Sequence, residues 1–210
     1  MDEFFNRSEA LLGAKAMEAL RAKKVIIFGV GGVGSYAAEA LVRTGLTHLT
    51  IVDGDTVQPS NINRQLPATR ATMGMPKVEA LKARLLEIHP EAKIEARKEM
   101  VNGEWLIDAI DSVNDKTDLI INATRARVKI FSSMGAALRF DPTKVTTGEL
   151  MDIKGDALAK AVRARMKKLD VHPYKKVRCV YSSEQAQRCE TRGSLMQVTA
   201  VFGLTLASLV

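Results

Sequence analysis

The sequence predicts an α/β protein of the doubly wound, mostly parallel, Rossmann-like class, with helices on both faces of the sheet. Three observations support this prediction. Strand-like and helix-like segments alternate along the first 135 residues. The strand-like runs are continuously apolar, as in the KVIIF run at 24–28, which is typical of strands covered on both faces. A glycine-rich turn joins this first strand to a helix.

The first predicted element is a helix over residues 8–22. Ser8 is placed to act as its N-cap. Leu12, Ala16 and Leu20 recur at the helical spacing and form one apolar stripe. We therefore expect this stripe to face the core.

The remaining elements continue the alternation. Gly45 is placed to end one helix and Pro76 to begin the next. The predicted boundaries are strand 24–28, helix 35–43, strand 48–52, helix 77–88, strands 92–99 and 105–110, helix 114–126 and strand 128–133. A C-terminal extension of extra strands and a helix follows. Residues 1–210 are thus expected to form one domain, with a nucleotide-binding core at 1–135 and a substrate-side extension at 136–210.

One connection does not suit a parallel sheet. Only Val101–Glu104 separates the run ending at Met100 from the strand beginning at Trp105, whereas a parallel crossover needs a dozen or more residues. Either Asn102 and Gly103 form a hairpin turn, or a stretch of chain is missing at this point. We favour the second interpretation because the other spacings fit a parallel sheet.

Composition and charge exclude several classes of protein. Hydrophobic residues make up 46% and charged residues 26% of the 210 residues, which is ordinary for a globular domain and excludes wholesale disorder. The net charge of +7 favours polyanionic partners. Two cysteines are too few for a disulfide framework or a four-cysteine zinc site. The N-terminus does not resemble a signal peptide, and the longest apolar run is short for a membrane span, so we expect a cytoplasmic protein.

The GVGGVG segment after the first strand is a candidate nucleotide site. Gly29, Gly31 and Gly34 match G-x-G-x-x-G between a strand and a helix, and Gly32 adds a fourth glycine. Glycines let the backbone turn tightly and approach phosphates, while the N-terminus of the helix adds N–H donors. Asp53 follows the next strand, where a carboxylate binds ribose hydroxyls. An NAD site would need nothing more than these residues.

Polar residues beyond the glycine loop indicate ATP with magnesium instead. Asp55, Asn61, Arg64, Lys77 and Asp111 have no function in an NAD site. Arginine and lysine bind phosphates, and carboxylate and amide oxygens suit Mg2+. Lys77 opens a predicted helix, and Asp111 follows a strand at the carboxyl edge, where open sheets bind ligands. The set therefore predicts a magnesium–ATP site.

Four segments resemble, in the same order, the ATP-binding core of the ThiF/MoeB-type adenylating enzymes, which are relatives of the ubiquitin-activating enzymes. They are FGVGGVGSYAAEALVRTG, IVDGDTVQPSNINRQ, GMPKVEAL and DAIDSVNDK. The resemblance covers roughly residues 5–135. It implies a reaction in which a carboxylate attacks the α-phosphorus of ATP, so that an acyl-adenylate forms and pyrophosphate leaves.

The resemblance also implies roles for individual residues. They are ribose binding by Asp53, phosphate contacts by Asn61, Arg64 and Lys77, and magnesium binding by Asp111. Arg7 resembles an N-terminal arginine that reaches the γ-phosphate in this superfamily, in some members from the partner subunit. The family is usually dimeric, and a homodimer would be required for that arrangement.

Later segments resemble a narrower branch of the family, the tRNA threonylcarbamoyladenosine dehydratases. They are VKIFSSMGAALRFDPTKV, GDALAKAVRARMKKL, RCVYSSEQ and VTAVFG. This resemblance implies a tRNA substrate whose modified adenosine, beside the anticodon, is adenylated and then cyclised with release of AMP. Effective molarities of roughly 10⁵ M or more in intramolecular reactions make a cysteine relay optional.

Two other functions stay open. One is activation of the C-terminus of a ubiquitin-like sulfur-carrier protein, although family members with that activity usually carry two C-x-x-C zinc pairs, which this chain lacks. The other is a non-catalytic nucleotide-binding or redox protein, which Arg64, Lys77 and Asp111 together argue against.

Two further features lie outside the core. The basic stretch from Arg163 to Arg178 is expected either to contact the tRNA backbone or to be a solvated helix face, since only Tyr174 is interleaved for stacking. Cys179 lies in a predicted strand and is interpreted as structural. Cys189 follows Arg188, whose charge favours a thiolate, so Cys189 is a candidate catalytic nucleophile or persulfide carrier. That role would imply a sulfur-relay protein as a partner, and an ordinary exposed thiol is the alternative.

Overall fold

The computed structural model describes residues 3–97, 105–187 and 193–210. Helices and strands alternate along most of this part of the chain. Helices α1 to α7 are Asn6–Leu12, Ala14–Ala22, Gly34–Thr44, Lys77–Ile88, Val113–Arg125, Ala157–Lys168 and Met196–Ser208. Strands β1 to β7 are Lys24–Phe28, His48–Val52, Lys93–Arg97, Trp105–Asp108, Lys129–Ser133, Val145–Glu149 and Arg178–Ser182.

The strands form one sheet in the order β3-β2-β1-β4-β5-β7-β6. Each neighbouring pair from β3 to β7 is parallel, and β6 runs antiparallel to β7 at one edge. The predicted doubly wound α/β class is therefore confirmed. Strands β6 and β7 of the predicted extension continue the sheet that β1 to β5 begin, and the chain boundary predicted at residue 135 stays a prediction.

The central strands are covered on both faces, as their apolar runs predict. Val25 and Ile27 of β1 pack into a core that also contains residues of α3, α4 and α7. Ile26 and Phe28 point to the opposite face and pack into a second core with residues of α5 and α6. Because side chains alternate along a strand, an uninterrupted apolar run supplies both cores.

The predicted opening helix is wrong as a single element. Gly13 takes a left-handed backbone angle (φ 80°) and separates α1 from α2. Ser8 therefore lies inside α1 and is not an N-cap. The predicted stripe is also wrong in part, since Leu12 and Ala16 are exposed, while Met17 and Leu20 of α2 are the buried residues.

Other boundaries agree with the prediction to within a few residues. Helix α4 spans the predicted 77–88, although Pro76 lies at its N-cap and not at its first helical position. Gly45 ends α3 in the left-handed conformation expected of a helix-terminating glycine. Among the described residues, no helix combines the length and the apolar character that crossing a membrane would require.

The hairpin predicted as one alternative near residue 102 is wrong. Strands β3 and β4 run parallel and are separated in the sheet by β2 and β1. A hairpin would make them antiparallel neighbours. The connection itself, residues 98–104, lies outside the described residues, so a missing stretch of chain stays a prediction.

Candidate active site

A cavity of about 710 Å³ lies at the carboxyl edge of the sheet. Strands β1, β2, β4 and β5 all end at this edge because they are parallel. The loops that follow these four strands line the cavity, which is the usual position of a ligand site in an open α/β sheet. The predicted residues among its lining are Gly29, Gly31, Gly32, Asp53, Asp55, Asn61, Arg64, Lys77 and Asp111.

The glycine loop can take its shape only without side chains at two positions. Gly29 has a φ of 83°, and a Cβ added there would lie 2.8 Å from the carbonyl oxygen of Ala109. A Cβ added at Gly34 would lie 1.8 Å from the carbonyl oxygen of Gly29. Gly34 is the first residue of α3 and does not line the cavity. Its function is thus close packing under the loop, while Gly31 and Gly32 face the ligand space.

Asp53 ties the glycine loop to the loop after β2. Its Oδ2 accepts a hydrogen bond from the backbone N–H of Val30 at 2.8 Å, and its Oδ1 accepts one from the N–H of Asp55 at 2.9 Å. A carboxylate has more acceptor sites than these two bonds use. Asp53 can therefore brace both loops and still accept ribose hydroxyls.

Lys77 is held at the start of α4, pointing toward the cavity wall. Its Nζ donates to Asp55 Oδ2 at 2.7 Å, and its own side chain is only 8% exposed, whereas that of Asp55 is 74% exposed. The backbone N–H of Lys77 also donates to the carbonyl oxygen of Asp55. A mostly buried ammonium beside a helix N-terminus is well suited to bind a phosphate, which would compete with the exposed Asp55 carboxylate.

The NINRQ segment contributes three cavity residues, one of which sequence reasoning did not identify. Arg64 Nη1 donates to the Ser60 carbonyl oxygen and to Asn63 Oδ1, both at 2.8 Å. Asn61 Oδ1 accepts from a backbone N–H within the same loop. Gln65 is nearly buried, and its Oε1 has no hydrogen-bond partner among the described residues. This orphaned oxygen at the cavity makes Gln65 a further candidate ligand-binding residue.

A buried network holds the loop that carries Asp111. Lys116 is fully buried and donates to Asp108 Oδ2 at 2.6 Å, to Ser132 Oγ at 3.2 Å and to the carbonyl oxygen of Ser133 at 2.9 Å. Ser132 also donates to Asp108 Oδ2 at 2.6 Å. Asp108 Oδ1 accepts from the N–H of Ile110. All three protons of the ammonium are thus donated in hydrogen bonds. Through Asp108 and Ile110, this buried network fixes the turn between β4 and α5.

The carboxylates at this turn fit magnesium. Asp111 and Asp115 both line the cavity. Within the described residues there is no group of three or more histidine, cysteine, aspartate or glutamate side chains able to hold a metal ion. Mg2+ is usually bound through one or two carboxylates together with substrate phosphates. The donor set at the cavity is therefore suited to Mg2+ that arrives with a nucleotide.

A second buried ion pair shapes the part of the cavity wall that follows β5. The Arg139 guanidinium donates to Asp156 Oδ2 at 2.9 Å and to the carbonyl oxygens of Gly135 and Ser182. Asp156 also accepts from the N–H of Gly135 and caps α6 through Ala159. Gly135 lines the cavity, so this pair positions the turn after β5. No local pattern in the sequence indicates this pair, because Arg139 and Asp156 come from segments that are separate in the chain.

Arg7 lies away from the cavity of its own chain. Phe5, two residues earlier, is buried and its ring packs against His89 at 4.7 Å between centroids. His89 directly follows α4 and precedes β3, so α1 lies at the amino edge of the sheet. A five-residue strand spans about 17 Å, which separates Arg7 from the nucleotide cavity at the carboxyl edge.

Of the two cysteines, Cys179 lies among the described residues and Cys189 does not. Cys179 is fully buried in β7, and burial raises the pKa of its thiol. It is thus a structural residue, as predicted. Cys189, the candidate nucleophile, lies outside the described residues, and its role stays a prediction.

The chain is similar to known proteins over most of its length. The model of the ThiF family matches residues 5–210. The tRNA threonylcarbamoyladenosine dehydratase of Bacillus subtilis is 37% identical over 191 residues, which cover 86% of this chain and 74% of that protein. The molybdopterin-synthase adenylyltransferase of Salmonella typhimurium is 34% identical over 149 residues, which cover 65% of this chain and 59% of that protein.

A solved structure extends the similarity to the whole fold. The crystal structure of the E. coli tRNA N6-threonylcarbamoyladenosine dehydratase in complex with ATP matches with a TM-score of 0.93 at 33% identity. The match covers 99% of this chain and 91% of that one. Since the family match includes every strand of the sheet and the cavity at its carboxyl edge, this chain belongs to the ThiF family.

Proposed function

We propose that this chain is an ATP-dependent dehydratase, which adenylates the carboxylate of N6-threonylcarbamoyladenosine in tRNA and cyclises it with release of AMP. One observation carries the proposal. By sequence, the similarity to the E. coli dehydratase extends over 93% of this chain, whereas the similarity to the molybdopterin-synthase adenylyltransferase of Salmonella typhimurium extends over 65%. The similarity to the dehydratase thus extends further beyond the ATP-binding core than the similarity to the adenylyltransferase does.

In the proposed complex, ATP lies in the carboxyl-edge cavity. The backbone at Gly31 and Gly32 faces its phosphates, and Arg64 and Lys77, which line the same cavity, supply positive charge. Asp111 would hold Mg2+, which supplies charge neutralisation for the phosphates. The residues of the chain therefore bind and orient the triphosphate.

The proposed chemistry needs no cosubstrate besides ATP. A carboxylate oxygen of the modified base attacks the α-phosphorus, and pyrophosphate leaves. The carbamoyl group of the same side chain then attacks the activated acyl carbon, and AMP leaves with the original carboxylate oxygen while the carbamoyl group loses a proton. Because both reacting groups belong to one side chain, their effective concentration can reach roughly 10⁵ M or more.

The proposal is tested by incubating the protein with ATP, Mg2+ and tRNA that carries threonylcarbamoyladenosine. We expect AMP and pyrophosphate to form, and mass analysis should show that the modified nucleoside has lost one water. Unmodified tRNA should give no AMP. In the Asp111→Asn variant, which keeps the shape of the side chain but not its charge, half-maximal activity should require more Mg2+.

Other outcomes would contradict the proposal. AMP formation that depends on a small carrier protein instead of tRNA would indicate activation of a sulfur carrier. Oxidation of NADH would indicate a redox protein. An unchanged Mg2+ dependence in Asp111→Asn would remove the role assigned to that carboxylate.

We infer further that the enzyme is a homodimer in which Arg7 serves the cavity of the partner subunit. The position of α1 at the amino edge supports this arrangement, because Arg7 is about a strand length from the cavity of its own chain. Arginine is suited to the γ-phosphate because its guanidinium binds phosphate oxygens in a bidentate manner.

Mixed dimers test whether Arg7 acts across subunits. At Mg2+ concentrations that limit the Asp111→Asn variant, the Arg7→Ala and Asp111→Asn homodimers should both have low activity. When the two variants are unfolded and refolded together, one site of each mixed dimer has both native residues, so about one quarter of wild-type activity should return. If the activity of the mixture stays at the level of the separate variants, Arg7 does not act across subunits.

We place the reaction in the cytoplasm, where the tRNA substrate would meet ATP. A sulfur-relay protein as partner, with Cys189 as a catalytic nucleophile or persulfide carrier, stays a prediction. The proposed reaction requires neither.

A further inference from the structure

A second cavity, of about 310 Å³, lies where the far ends of α5 and α6 meet. It shares no lining residue with the nucleotide cavity. Its volume is at the lower end of the roughly 300–1,000 Å³ range of ligand pockets. The residues that line it are Ile121, Arg125, Asp170, Val171, His172, Pro173 and Tyr174.

Tyr174 is an exposed aromatic ring at this cavity whose backbone is held in place. Its N–H donates to Thr124 Oγ1 at 3.2 Å, and the Arg125 guanidinium lies 5.6 Å from the ring centroid. The residue nevertheless remains 63% exposed. Proteins that bind unpaired nucleic-acid bases stack them on exposed aromatic rings, commonly with cationic groups nearby.

The surface around this cavity is strongly basic. Strands β5 and β7 begin side by side at the amino edge, so the segments that lead into them, 125–129 and 167–178, lie together. These segments contain one carboxylate, Asp170, against eight cations. The cations are all exposed, and they are Arg125, Arg127, Lys129, Lys167, Lys168, Lys175, Lys176 and Arg178. We call this group the amino-edge basic surface.

Helix α6 connects this surface to the nucleotide cavity. Leu158 in its first turn lines that cavity, and Lys168 at its end belongs to the amino-edge basic surface. A helix of twelve residues is about 18 Å long. Lys160 and Lys167, two helical turns apart, are both exposed along it. At about 3.4 Å per nucleotide of a stacked strand, roughly five nucleotides cover this distance.

We propose that the cavity at Tyr174 is a second RNA subsite, which takes an unpaired base of the same tRNA whose modified adenosine enters the nucleotide cavity. The inference rests on the proposed tRNA substrate and adds a place where a second part of that molecule binds. Phosphates contact the amino-edge basic surface, and the base stacks on Tyr174. An unpaired base is required because a paired base does not expose its face.

The combination of features favours RNA over an acidic protein. Cations alone would suit either partner, since both are polyanions. A ring exposed at the cavity adds a stacking surface, which an acidic peptide does not use but every nucleobase can. The test must therefore separate the contribution of the ring from that of the charges.

The experiment measures equilibrium binding of tRNA carrying threonylcarbamoyladenosine, without ATP, so that the result does not depend on turnover. Tyr174→Leu should raise the Kd about 5- to 100-fold, because stacking on an aromatic ring is lost. Tyr174→Phe keeps the ring and should bind within about 2-fold of wild type. Lys15→Gln, which removes an exposed lysine of α2, is the matched control and should bind like wild type.

Each outcome bears on the inference. A Kd for Tyr174→Leu equal to that of wild type would overturn it, as would a wild-type protein that does not bind tRNA. If only neutralisation of Lys175 and Lys176 weakens binding and flattens its salt dependence, the surface binds charge and has no base subsite, which also overturns it. If the Tyr174 variants behave as expected but modified tRNA is not turned over, the subsite stands and the proposed reaction fails.

Discussion

Replacing Lys116 by methionine is expected to lower the free energy of unfolding by about 3–5 kcal/mol, because removal of one partner leaves the other charge buried and unpaired. Lys116 and Asp108 are both fully buried and lie 2.6 Å apart. Methionine keeps most of the length of the side chain but cannot neutralise Asp108. For a chain of this size the midpoint of thermal unfolding should fall by about 6–20 °C.

Denaturant unfolding of the variant measures this loss, and an exposed ion pair provides the control. Arg97 and Glu95 form a salt bridge in which both side chains are more than half exposed. Arg97→Met should therefore cost no more than about 1 kcal/mol. Adding Asp108→Asn to Lys116→Met removes the remaining charge and should recover part of the stability. A loss in Lys116→Met no larger than that in Arg97→Met would contradict the structural role of the network.

Replacing Gly34 by alanine is expected to impair both folding and ATP binding. The added Cβ would lie 1.8 Å from the carbonyl oxygen of Gly29 and 3.2 Å from Ile27 Cγ2. The first distance is too short for any contact, so the glycine loop or the start of α3 must move. Overpacking of this kind costs about 1–3 kcal/mol or more, and displacement of the loop should weaken ATP binding by more than about 10-fold.

Nucleotide titration and denaturant unfolding check this prediction. Gly193→Ala is a suitable control because a Cβ at that position would meet none of the described residues within 4 Å, and it should bind ATP and unfold like wild type. If Gly34→Ala binds ATP with unchanged affinity, the close approach between α3 and the glycine loop does not determine the shape of the site.

Most of the predicted site residues line the carboxyl-edge cavity, because their signals in the sequence are local. A glycine has no side chain wherever it stands, and the ends of parallel strands share one edge of the sheet. Asp53, Asp55 and Arg64 therefore meet at one cavity, as their positions after the strands predict. Gly45, which ends α3, was also predictable, because a glycine directly after a helical segment is a common helix end.

The broken opening helix shows where local signals fail. An apolar spacing continued through Gly13, and the pattern alone did not distinguish an interrupted helix from a continuous one. Phe5 packs against His89, which is distant in sequence, and this contact places the N-terminal residues at the amino edge. Tertiary packing thus decided the direction of α1 and the position of Arg7.

By itself the sequence determined the α/β class, most boundaries of the helices and strands in the core, and the residue types that surround a nucleotide, because spacing and side-chain chemistry are properties of short segments. The tertiary structure alone decided which residues lie beneath and beside that site. A lysine is almost never fully buried unless it is paired. Lys116 can be buried because Asp108 neutralises its charge, and because Asp108, Ser132 and Ser133 on two neighbouring strands accept its hydrogen bonds. The cavity at Tyr174 likewise exists only because α5 and α6 end together, and no single segment carries the information for a contact between two.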